Sequence, residues 1–330
     1  KKKIAILGST GSIGTTSLNI FKKNKNKFDI ILLAANRNYS LICKQIKVFK
    51  PKYYIISDEL VFRKVKKKYK NNKIKIYNNF SDINFKKKKF DITISSIVGI
   101  AGLSPTIKFV KYSKKILLAN KETIICGWHL IKNLSKSHKT KIIPVDSEHF
   151  SIDQLTRNFK DTDIEKIYLT ASGGPFLNKP LKSFKSIKAS DAIKHPKWKM
   201  GKKISIDSSN LMNKVLEIIE AYRLFPFKID KYEIIIHPQS LVHAIVHFKN
   251  GQTRFLYHET DMKIPISNAI FGNDFDKTNF IYPKKDILKK FENLKFIKVD
   301  KKRFPIVTLL KKFSNNNSGP IILNASNEIL

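Results

Sequence analysis

The first part of the chain alternates short apolar, β-branched runs with stretches that have helical spacing. Strands that alternate with helices over residues 3–145 predict a doubly wound parallel sheet of the α/β class. Seven runs are the predicted strands: Lys3–Leu7, Ile30–Leu33, Tyr54–Ile56, Ile74–Tyr77, Ile92–Ile94, Ile116–Leu118 and Ile142–Ile143.

The pattern changes after residue 145. The closely spaced strands near its end predict antiparallel pairing, and the Lys-, Asn- and Pro-rich stretch 273–320 indicates a linker. We therefore expect three parts: residues 1–145, an α+β part at 146–272, and 273–330. The elements predicted after residue 145 are a helix near 150–157, a strand at 166–171, a basic loop at 194–203, a long helix at 208–223, and strands near 232–237, 241–248 and 253–258.

Composition changes this picture little. The 330 residues carry a net charge of +38 with 42% hydrophobic residues, which is typical of a globular protein. The excess Lys is spread along the chain with many Asn, Ile, Phe and Tyr, so codon bias accounts for it better than nucleic-acid binding. No apolar run approaches the ~20 residues of a membrane span, and two cysteines, Cys43 and Cys126, indicate no disulfide framework.

A glycine-rich string, Gly8-Ser9-Thr10-Gly11-Ser12-Ile13-Gly14, follows the first predicted strand and opens a helix. Glycines let the backbone approach a pyrophosphate, and the helix start supplies unpaired N–H groups. The spacing is GxxGxxG rather than the commoner GxGxxG. The string predicts a dinucleotide site, although a tight strand–helix turn without a ligand would show the same pattern.

The end of the second predicted strand bears on the choice of cofactor. An NAD site usually places an acid ~20 residues beyond the glycines, where it binds the ribose 2′-hydroxyl. This chain has Ala34-Ala35-Asn36-Arg37-Asn38 there, without an acid. Arg37 suits a 2′-phosphate, which favours NADP over NAD. A surface charge in a very basic protein is the competing interpretation.

An acidic string, Pro144-Val145-Asp146-Ser147-Glu148-His149, indicates a metal site. In an extended segment, residues two apart point to the same side, so Asp146 and Glu148 could aim both carboxylates at one point. Hard oxygen ligands suit Mg²⁺ or Mn²⁺. An acidic turn at a strand end is the alternative.

A second set of residues suggests a phosphate-binding half. The loop Ser172-Gly173-Gly174-Pro175 exposes N–H groups and a hydroxyl, and the basic segment around His195 and Trp198 could close over an anion as a lid. Asp207 and Ser208 are suited to cap a helix whose Asn213, Lys214 and Glu217 share one face. A turn, a flexible surface loop and an exposed Lys–Glu pair are the competing interpretations.

The combined motifs closely resemble the 1-deoxy-D-xylulose 5-phosphate reductoisomerase family. The matching strings run in order along the whole chain: GSTGSIG (8–14), LLANKE (117–122), PVDSEH (144–149), SGGPF (172–176), HPKWKMGKKISIDS (195–208), MNK (212–214), HPQS (237–240) and LNASNEI (323–329). The resemblance implies an N-terminal Rossmann-like NADPH-binding domain at 1–145 and an α+β catalytic domain at 146–272. A linker and the truncated start of a C-terminal helical domain would follow at 273–330.

The resemblance also implies function. NADPH and Mn²⁺ or Mg²⁺ would serve the rearrangement and reduction of a small phosphorylated sugar, 1-deoxy-D-xylulose 5-phosphate, to 2-C-methyl-D-erythritol 4-phosphate in isoprenoid synthesis. We expect a homodimer that engages neither nucleic acid nor membrane. It would be cytoplasmic if bacterial, and in a plastid-type organelle if a targeting segment has been removed.

Residue roles follow from the resemblance motif by motif. Asp146, Glu148 and Glu217 would bind the metal and, with Lys121, form the catalytic set. The substrate would meet Lys121, Ser147, Glu148, Ser172, His195, Trp198, Ser208, Asn213, Lys214 and Glu217. The cofactor would meet Thr10, Gly11, Ser12, Ile13, Arg37, Asn38, Asn120, Glu122 and Gly201.

Two other functions remain open at this stage. One is an NADP-dependent dehydrogenase of another phosphorylated substrate, which would need no set of three carboxylates. The other is a decayed, non-catalytic basic binding protein on an inherited Rossmann scaffold. Metal dependence separates the first from the reductoisomerase. DNA affinity that falls steeply with salt, without NADPH oxidation, would indicate the second.

Overall fold

The computed structural model describes residues 1–86, 89–193, 201–272, 274, 288–313 and 318–329. These residues form two compact units. The first contains Lys1–Asp146 and the segment that begins at Met262, and the second contains Ser147–Asp261 and the described residues from 288 onward.

The first unit is built on a parallel sheet of seven strands in the order β4-β3-β2-β1-β5-β6-β7. Each predicted run overlaps one of these strands, with Ile74 alone lying outside, one residue before β4, so the predicted doubly wound sheet is confirmed. The order reverses between β1 and β5, which is where such sheets bind ligands. The strands are β1 Lys2–Leu7, β2 Phe28–Ala35, β3 Tyr53–Ile56, β4 Lys75–Tyr77, β5 Phe90–Ser95, β6 Ser113–Leu118 and β7 Lys141–Pro144.

Helices connect these strands and cover the sheet. In β1, Ile4 and Ile6 belong to one apolar cluster while Ala5 and Leu7 belong to another. Successive side chains of a strand point to opposite faces, so the continuous apolar run fills two core layers. The helices between the strands are α1 Ser12–Lys23, α2 Tyr39–Phe49, α3 Glu59–Lys68, α4 Leu103–Val110 and α5 Lys121–Ser137.

The second unit contains a mixed sheet in the order β11-β10-β8-β9-β12. Antiparallel pairing is confirmed for β10 with β11, but β9 pairs in parallel with β8, which separates it from β10. The prediction of three successive antiparallel strands was therefore wrong for β9. Helices lie between β8 and β9 along the chain, and a helical crossover joins parallel neighbours. The strands are β8 Ile164–Ala171, β9 Tyr232–Ile236, β10 Val242–Phe248, β11 Thr253–Tyr257 and β12 Ile297–Lys298.

The helix predicted at 208–223 is two helices. The first, α8, ends at Ser209, and α9 begins at Met212 after Leu211, whose φ of 67° is left-handed. The Asn210 side chain accepts a hydrogen bond from Met212 N at 2.9 Å. A non-glycine residue in this conformation costs about 1–2 kcal/mol, which burial of the Leu211 side chain offsets. The helices in this part are α6 Ser147–Thr156, α7 Ala189–Ala192, α8 Lys202–Ser209 and α9 Met212–Leu224.

Helix α10, Lys263–Phe271, belongs to the first unit. Lys115 of β6 donates from Nζ to the carbonyl of Ala269 at 2.7 Å, so a cation lies at the carboxyl end of this helix, where it is favourable. Helix α10 therefore belongs to the first unit, although the sequence placed it in the part expected at 146–272.

The stretch expected to be a linker carries secondary structure. Among its described residues, β12 pairs with β9 and so extends the sheet of the second unit. This corrects the expectation for 273–320. The helices after residue 287 are α11 Leu288–Phe291, α12 Leu310–Phe313 and α13 Gly319–Ile329.

Two buried histidines in the second unit make its stability depend on pH. Burial lowers the pKa of His237 and of His258. Below about pH 6.5 the unfolded chain therefore binds protons that the folded chain does not. We expect the urea midpoint to be highest above pH 6.5 and to fall as the pH drops towards 5.

A matched pair of variants tests the source of that dependence. His258→Gln should flatten the pH dependence of the urea midpoint. His247→Gln, which changes a partly exposed histidine on β10, should not. Equal pH profiles for the two variants would assign the effect to other groups.

Candidate metal, substrate and cofactor sites

The acidic string lies at the start of a helix. Val145 N donates to the Leu118 carbonyl at 3.1 Å, and α6 begins at Ser147. Asp146 thus directly precedes the helix, and Glu148 is in its first turn. The expectation of an extended segment was wrong here. Acidic residues are favoured at this end of a helix because its unpaired N–H groups and macrodipole attract negative charge.

Helix α9 supplies the second part of the site. Asn213 donates from Nδ2 to Glu217 Oε1 at 2.6 Å, and the ammonium of Lys214 pairs with the other Glu217 oxygen. The three residues share a face, as their spacing predicts. Lys214 and Glu217 are only 5% and 2% exposed, so the pair is not a surface contact.

Three carboxylates converge at this point. One oxygen each from Asp146, Glu148 and Glu217 lies within 4.8 Å of the other two. Asp146 is bonded to Ser147, the first residue of α6, so the helix start determines its position. His149 of α6 donates from Nε2 to the Glu217 carbonyl at 2.9 Å and links α6 to α9.

Two lysines partly neutralise these carboxylates. Lys121, at the start of α5, contacts Asp146 at 3.0 Å, and Lys214 contacts Glu148 at 2.6 Å. Burial alone would lower the pKa of Lys214, but the carboxylates of Glu148 and Glu217 outweigh burial and raise it. Three carboxylates and two ammonium groups leave one negative charge (−3 + 2 = −1).

The donor set suits a divalent cation. Mg²⁺ and Mn²⁺ prefer carboxylate oxygens, and a cation removes the repulsion between converging acids. Asn213 Oδ1 is buried and has no hydrogen-bond partner among the described residues, so a further oxygen acceptor lies beside the acids. The residues therefore fit the Mg²⁺ or Mn²⁺ that the sequence predicts.

The predicted phosphate residues surround the turn between α8 and α9. The loop after β8 has two left-handed glycines, Gly173 and Gly174, and Ser172 Oγ accepts from Gly174 N at 3.1 Å. A Cβ on Gly174 would lie 2.9 Å from the Ser208 carbonyl, so only glycine allows this close approach. The loop that carries Ser172 therefore packs, through Gly174, against Ser208 and Ser209 at the end of α8.

Asp207 and Ser208 do not cap a helix as predicted, since they lie in the last turn of α8. Asp207 pairs with Lys203 at 2.8 Å and accepts from Asn327 of α13 at 3.3 Å. Burial raises the pKa of Asp207, while both partners act in the opposite direction.

The remaining predicted substrate residues have mixed outcomes. Ser147 Oγ donates to Glu148 Oε2 at 2.5 Å, which leaves its hydroxyl in the acidic cluster. His195 and Trp198 lie outside the described residues, so the lid stays a prediction. Gly201, predicted to meet the cofactor, is the residue before α8.

The glycine-rich loop joins β1 to α1 as predicted. A Cβ on Gly8, whose φ is 90°, would lie 2.6 Å from the Ser96 carbonyl, and one on Gly14 would lie 2.3 Å from the Gly8 carbonyl. The backbone therefore packs in a way that only glycine permits. Within the described residues, the amides of Thr10, Ser12 and Ile13 have no backbone acceptor, which suits a diphosphate.

The other predicted cofactor residues divide into exposed and engaged side chains. Arg37 is exposed beyond β2, and Glu122 is partly exposed in the first turn of α5. Asn38 caps α2 by accepting from Leu41 N at 3.2 Å. Asn120 is buried, caps α5 and donates to the carbonyls of Ile97 and Gly99. Asn38 thus caps a helix, and Asn120 caps a helix and also holds the 97–99 loop. The contact of either side chain with a cofactor stays a prediction.

Sequence reasoning missed His149 as a site residue. It follows directly after Glu148 in the acidic string, is fully buried and joins α6 to α9. Its adjacency to the predicted metal ligands was the available signal.

Arg37→Ala is expected to raise the KM for NADPH at least several-fold and to change the KM for NADH little. A charge-assisted hydrogen bond to a 2′-phosphate contributes roughly 1.5–3 kcal/mol. Steady-state kinetics with both cofactors measure this, and Lys44→Ala, an exposed lysine on α2, is the control for lost charge. Equal losses for NADPH and NADH would contradict the assignment.

The fold and the two sites define a Rossmann-like α/β protein with a dinucleotide loop and a separate carboxylate site for a divalent cation. Three family models match the chain. They are 1-deoxy-D-xylulose 5-phosphate reductoisomerase over residues 4–127, the C-terminal domain of that enzyme over 142–225, and the DXP reductoisomerase C-terminal domain over 258–330.

Similar proteins carry the same name. The 1-deoxy-D-xylulose 5-phosphate reductoisomerase of Pelagibacter ubique strain HTCC1062 is 47% identical over 334 residues, covering 100% of this chain and 85% of the relative. The Zymomonas mobilis enzyme in complex with NADPH has 31% identity and a TM-score of 0.89 over 99% of this chain and 85% of its own. A reductoisomerase complex with NADPH, fosmidomycin and magnesium has 32% identity and a TM-score of 0.91 over 100% and 83%.

This chain therefore belongs to the 1-deoxy-D-xylulose 5-phosphate reductoisomerase family. The family expected from the motifs is confirmed.

Proposed function

We propose that this protein converts 1-deoxy-D-xylulose 5-phosphate to 2-C-methyl-D-erythritol 4-phosphate. The conversion rearranges the carbon skeleton, consumes one NADPH and one proton, and depends on a divalent metal. The observation that carries the proposal is the convergence of Asp146, Glu148 and Glu217 beside a buried lysine. A dehydrogenase of another phosphorylated substrate would not need that convergence.

The metal ligands would be the three carboxylates. A bound Mg²⁺ or Mn²⁺ would stabilise the negative charge that develops on neighbouring substrate oxygens as a C–C bond breaks and re-forms. Asn213 orients the Glu217 carboxylate, and Lys121 orients that of Asp146. His149 prevents α9 from shifting against the start of α6. These contacts fix the ligand oxygens before the substrate arrives, which lowers the reorganisation needed during the reaction.

The substrate phosphate would be held by Ser172, Ser208, Asn213 and Lys214. The support is their arrangement: the glycine loop of Ser172 packs against Ser208, and α9 begins three residues after α8 ends. An ammonium group has three N–H donors, so Lys214 can keep its two glutamates and still donate to a phosphate oxygen. His195 and Trp198 would complete the pocket.

The two units would bind different reactants. We propose that Lys1–Asp146 binds NADPH through the amides of Thr10, Ser12 and Ile13 and through Arg37. We propose that the second unit, from Ser147, together with the adjoining Asp146, binds metal and substrate. A homodimer in the bacterial cytoplasm is proposed from the family resemblance and from the bacterial relatives. No described helix is long and apolar enough to cross a membrane. Light scattering tests whether the protein is a homodimer, and cell fractionation tests whether it is cytoplasmic.

An NADPH oxidation assay tests the function. The purified protein should consume NADPH only when 1-deoxy-D-xylulose 5-phosphate and Mg²⁺ or Mn²⁺ are both present, and should form 2-C-methyl-D-erythritol 4-phosphate in equal amount. EDTA should stop consumption, and added Mn²⁺ should restore it. Turnover that survives EDTA would favour the simple dehydrogenase, and salt-sensitive DNA binding without NADPH oxidation would favour a decayed binding protein.

A further inference from the structure

A polar cluster lies under the glycine-rich loop, where the core of the first unit is otherwise apolar. Ser9 belongs to the loop, Gln45 to α2 and Tyr54 to β3. Their exposures are 0%, 3% and 0%. Burying polar groups is costly unless every group is paired, so such a cluster needs a structural reason.

Every polar side-chain atom of the cluster is paired within it. Gln45 Oε1 accepts from Ser9 Oγ at 2.8 Å and from Tyr54 OH at 2.7 Å. Gln45 Nε2 donates to the main-chain carbonyl of Ser9 at 2.8 Å. Burial raises the pKa of Tyr54, which keeps its hydroxyl protonated and able to donate.

The bond to the Ser9 carbonyl controls the next amide. In a trans peptide the C=O of one residue and the N–H of the following residue point in opposite directions. All peptide bonds that the structure describes here are trans. Gln45 binds the Ser9 carbonyl from the buried side, so the Thr10 N–H is turned away from the core. That amide is one of those without a backbone acceptor.

Other bonds hold the rest of the loop. Gly8 N and Ser9 N donate to the Ala34 carbonyl at 3.0 and 2.8 Å. They secure the start of the loop to β2, but they leave the rotation of the Ser9–Thr10 peptide plane open. Within the described residues, Gln45 is the side chain that fixes that rotation, and Tyr54 and Ser9 hold the Gln45 amide in place.

We propose that Gln45 and Tyr54 are positioning residues that set the affinity of the glycine loop for the diphosphate of NADPH. The proposal rests on the proposed NADPH-dependent function. Pre-orienting the Thr10 amide removes an ordering cost that binding would otherwise include. Neither residue contacts the cofactor, so their loss changes cofactor affinity and leaves the metal and substrate sites intact.

The test uses two variants and a matched control. Tyr54→Phe removes one hydroxyl and keeps the ring. Gln45→Leu removes the donor to the Ser9 carbonyl. Tyr53→Phe removes the hydroxyl of the neighbouring tyrosine on β3, which packs on Tyr77 and Phe85 outside the cluster. The dissociation constants of NADPH and of ADP-ribose are measured by fluorescence or calorimetry without substrate, together with the unfolding midpoint.

Loss of one net hydrogen bond corresponds to about a three- to ten-fold change in affinity. We expect the NADPH and ADP-ribose dissociation constants to rise about three-fold or more for Tyr54→Phe and about ten-fold for Gln45→Leu. The Tyr53→Phe constants should stay at the wild-type value. At saturating NADPH, kcat and the substrate KM of Tyr54→Phe should match the wild type.

Two results would overturn the proposal. One is a Tyr54→Phe protein, folded to the wild-type midpoint, that binds both nucleotides like Tyr53→Phe. The other is a wild type that binds neither nucleotide. The binding readout separates this proposal from the enzymatic one: a wild type that binds NADPH but does not turn over the sugar phosphate contradicts the proposed reaction and leaves the positioning role measurable.

Discussion

Glu217→Gln is expected to abolish turnover, with a loss of at least about 100-fold in kcat. The substitution keeps the shape of the side chain and removes one of the three carboxylates that converge within 4.8 Å. It also places an amide where Oε1 now accepts from Asn213 Nδ2. Mg²⁺ or Mn²⁺ affinity should fall in parallel, whereas NADPH affinity should remain near the wild-type value because the glycine loop is in the other unit.

Glu220→Gln is the matched control for that variant. Glu220 is on the same helix and is equally buried, at 2% exposure, but it is not among the converging carboxylates. Metal titration by calorimetry and an unfolding midpoint are measured for both variants. If Glu217→Gln binds Mn²⁺ as the wild type does, or loses no more activity than Glu220→Gln, then Asp146, Glu148 and Glu217 do not hold one ion together.

Lys214→Met is expected to raise the substrate KM strongly and to lower kcat, while leaving NADPH affinity nearly unchanged. The lysine is 5% exposed and contacts Glu148 at 2.6 Å as well as Glu217. Breaking a buried pair by removing one partner typically costs about 3–5 kcal/mol. The metal-free variant should therefore unfold at markedly lower urea, and Mg²⁺ or Mn²⁺ should restore part of the loss because the cation replaces the missing charge.

Lys228→Met, at an exposed position of the same unit, is the control for lost charge. Substrate KM, NADPH dissociation constant and urea midpoint with and without Mn²⁺ are compared for the two variants. An unchanged substrate KM and kcat in Lys214→Met would mean that Lys214 is only a structural partner of the glutamates.

The seven strands of the first unit and their parallel, doubly wound class could be predicted because the signal of each strand is local. A strand buried on both faces needs a continuous apolar run, and Ile4-Ala5-Ile6-Leu7 is such a run. The glycine string was also recognisable locally, because its spacing directly after a strand is itself the signal. The contact that requires glycine at Gly14 is with the nearby Gly8 carbonyl, whereas the one at Gly8 is with Ser96, far along the chain.

Predictions in the second unit failed where distant residues decide. A helix through 208–223 has suitable residues, but burial of Leu211 and the Asn210 bond to Met212 stabilise a left-handed break that propensity alone disfavours. The parallel pairing of β9 with β8 depends on the crossover made by the helices between them. The short apolar run of β9 does not indicate which strand will lie beside it.

The candidate metal site shows the same division. The spacing of Asp146 and Glu148 and the shared face of Asn213, Lys214 and Glu217 were readable from the sequence, and the family motifs linked them. The distances between these side chains could not be predicted from the sequence. Only the folded chain brings the start of α6 to α9, buries Lys214 between Glu148 and Glu217, and places Gln45 under the Ser9 carbonyl.

The sequence by itself determined the strand–helix alternation, the glycine loop, the family and the residue types at each site, because side-chain chemistry and short-range spacing specify these. The tertiary structure decided the β9 pairing, the burial of the left-handed Leu211, the Asn120 bonds to the Ile97 and Gly99 carbonyls, and the buried Lys214–Glu148 ion pair. These depend on contacts between residues far apart in the chain, whose energies exist only once the core has formed.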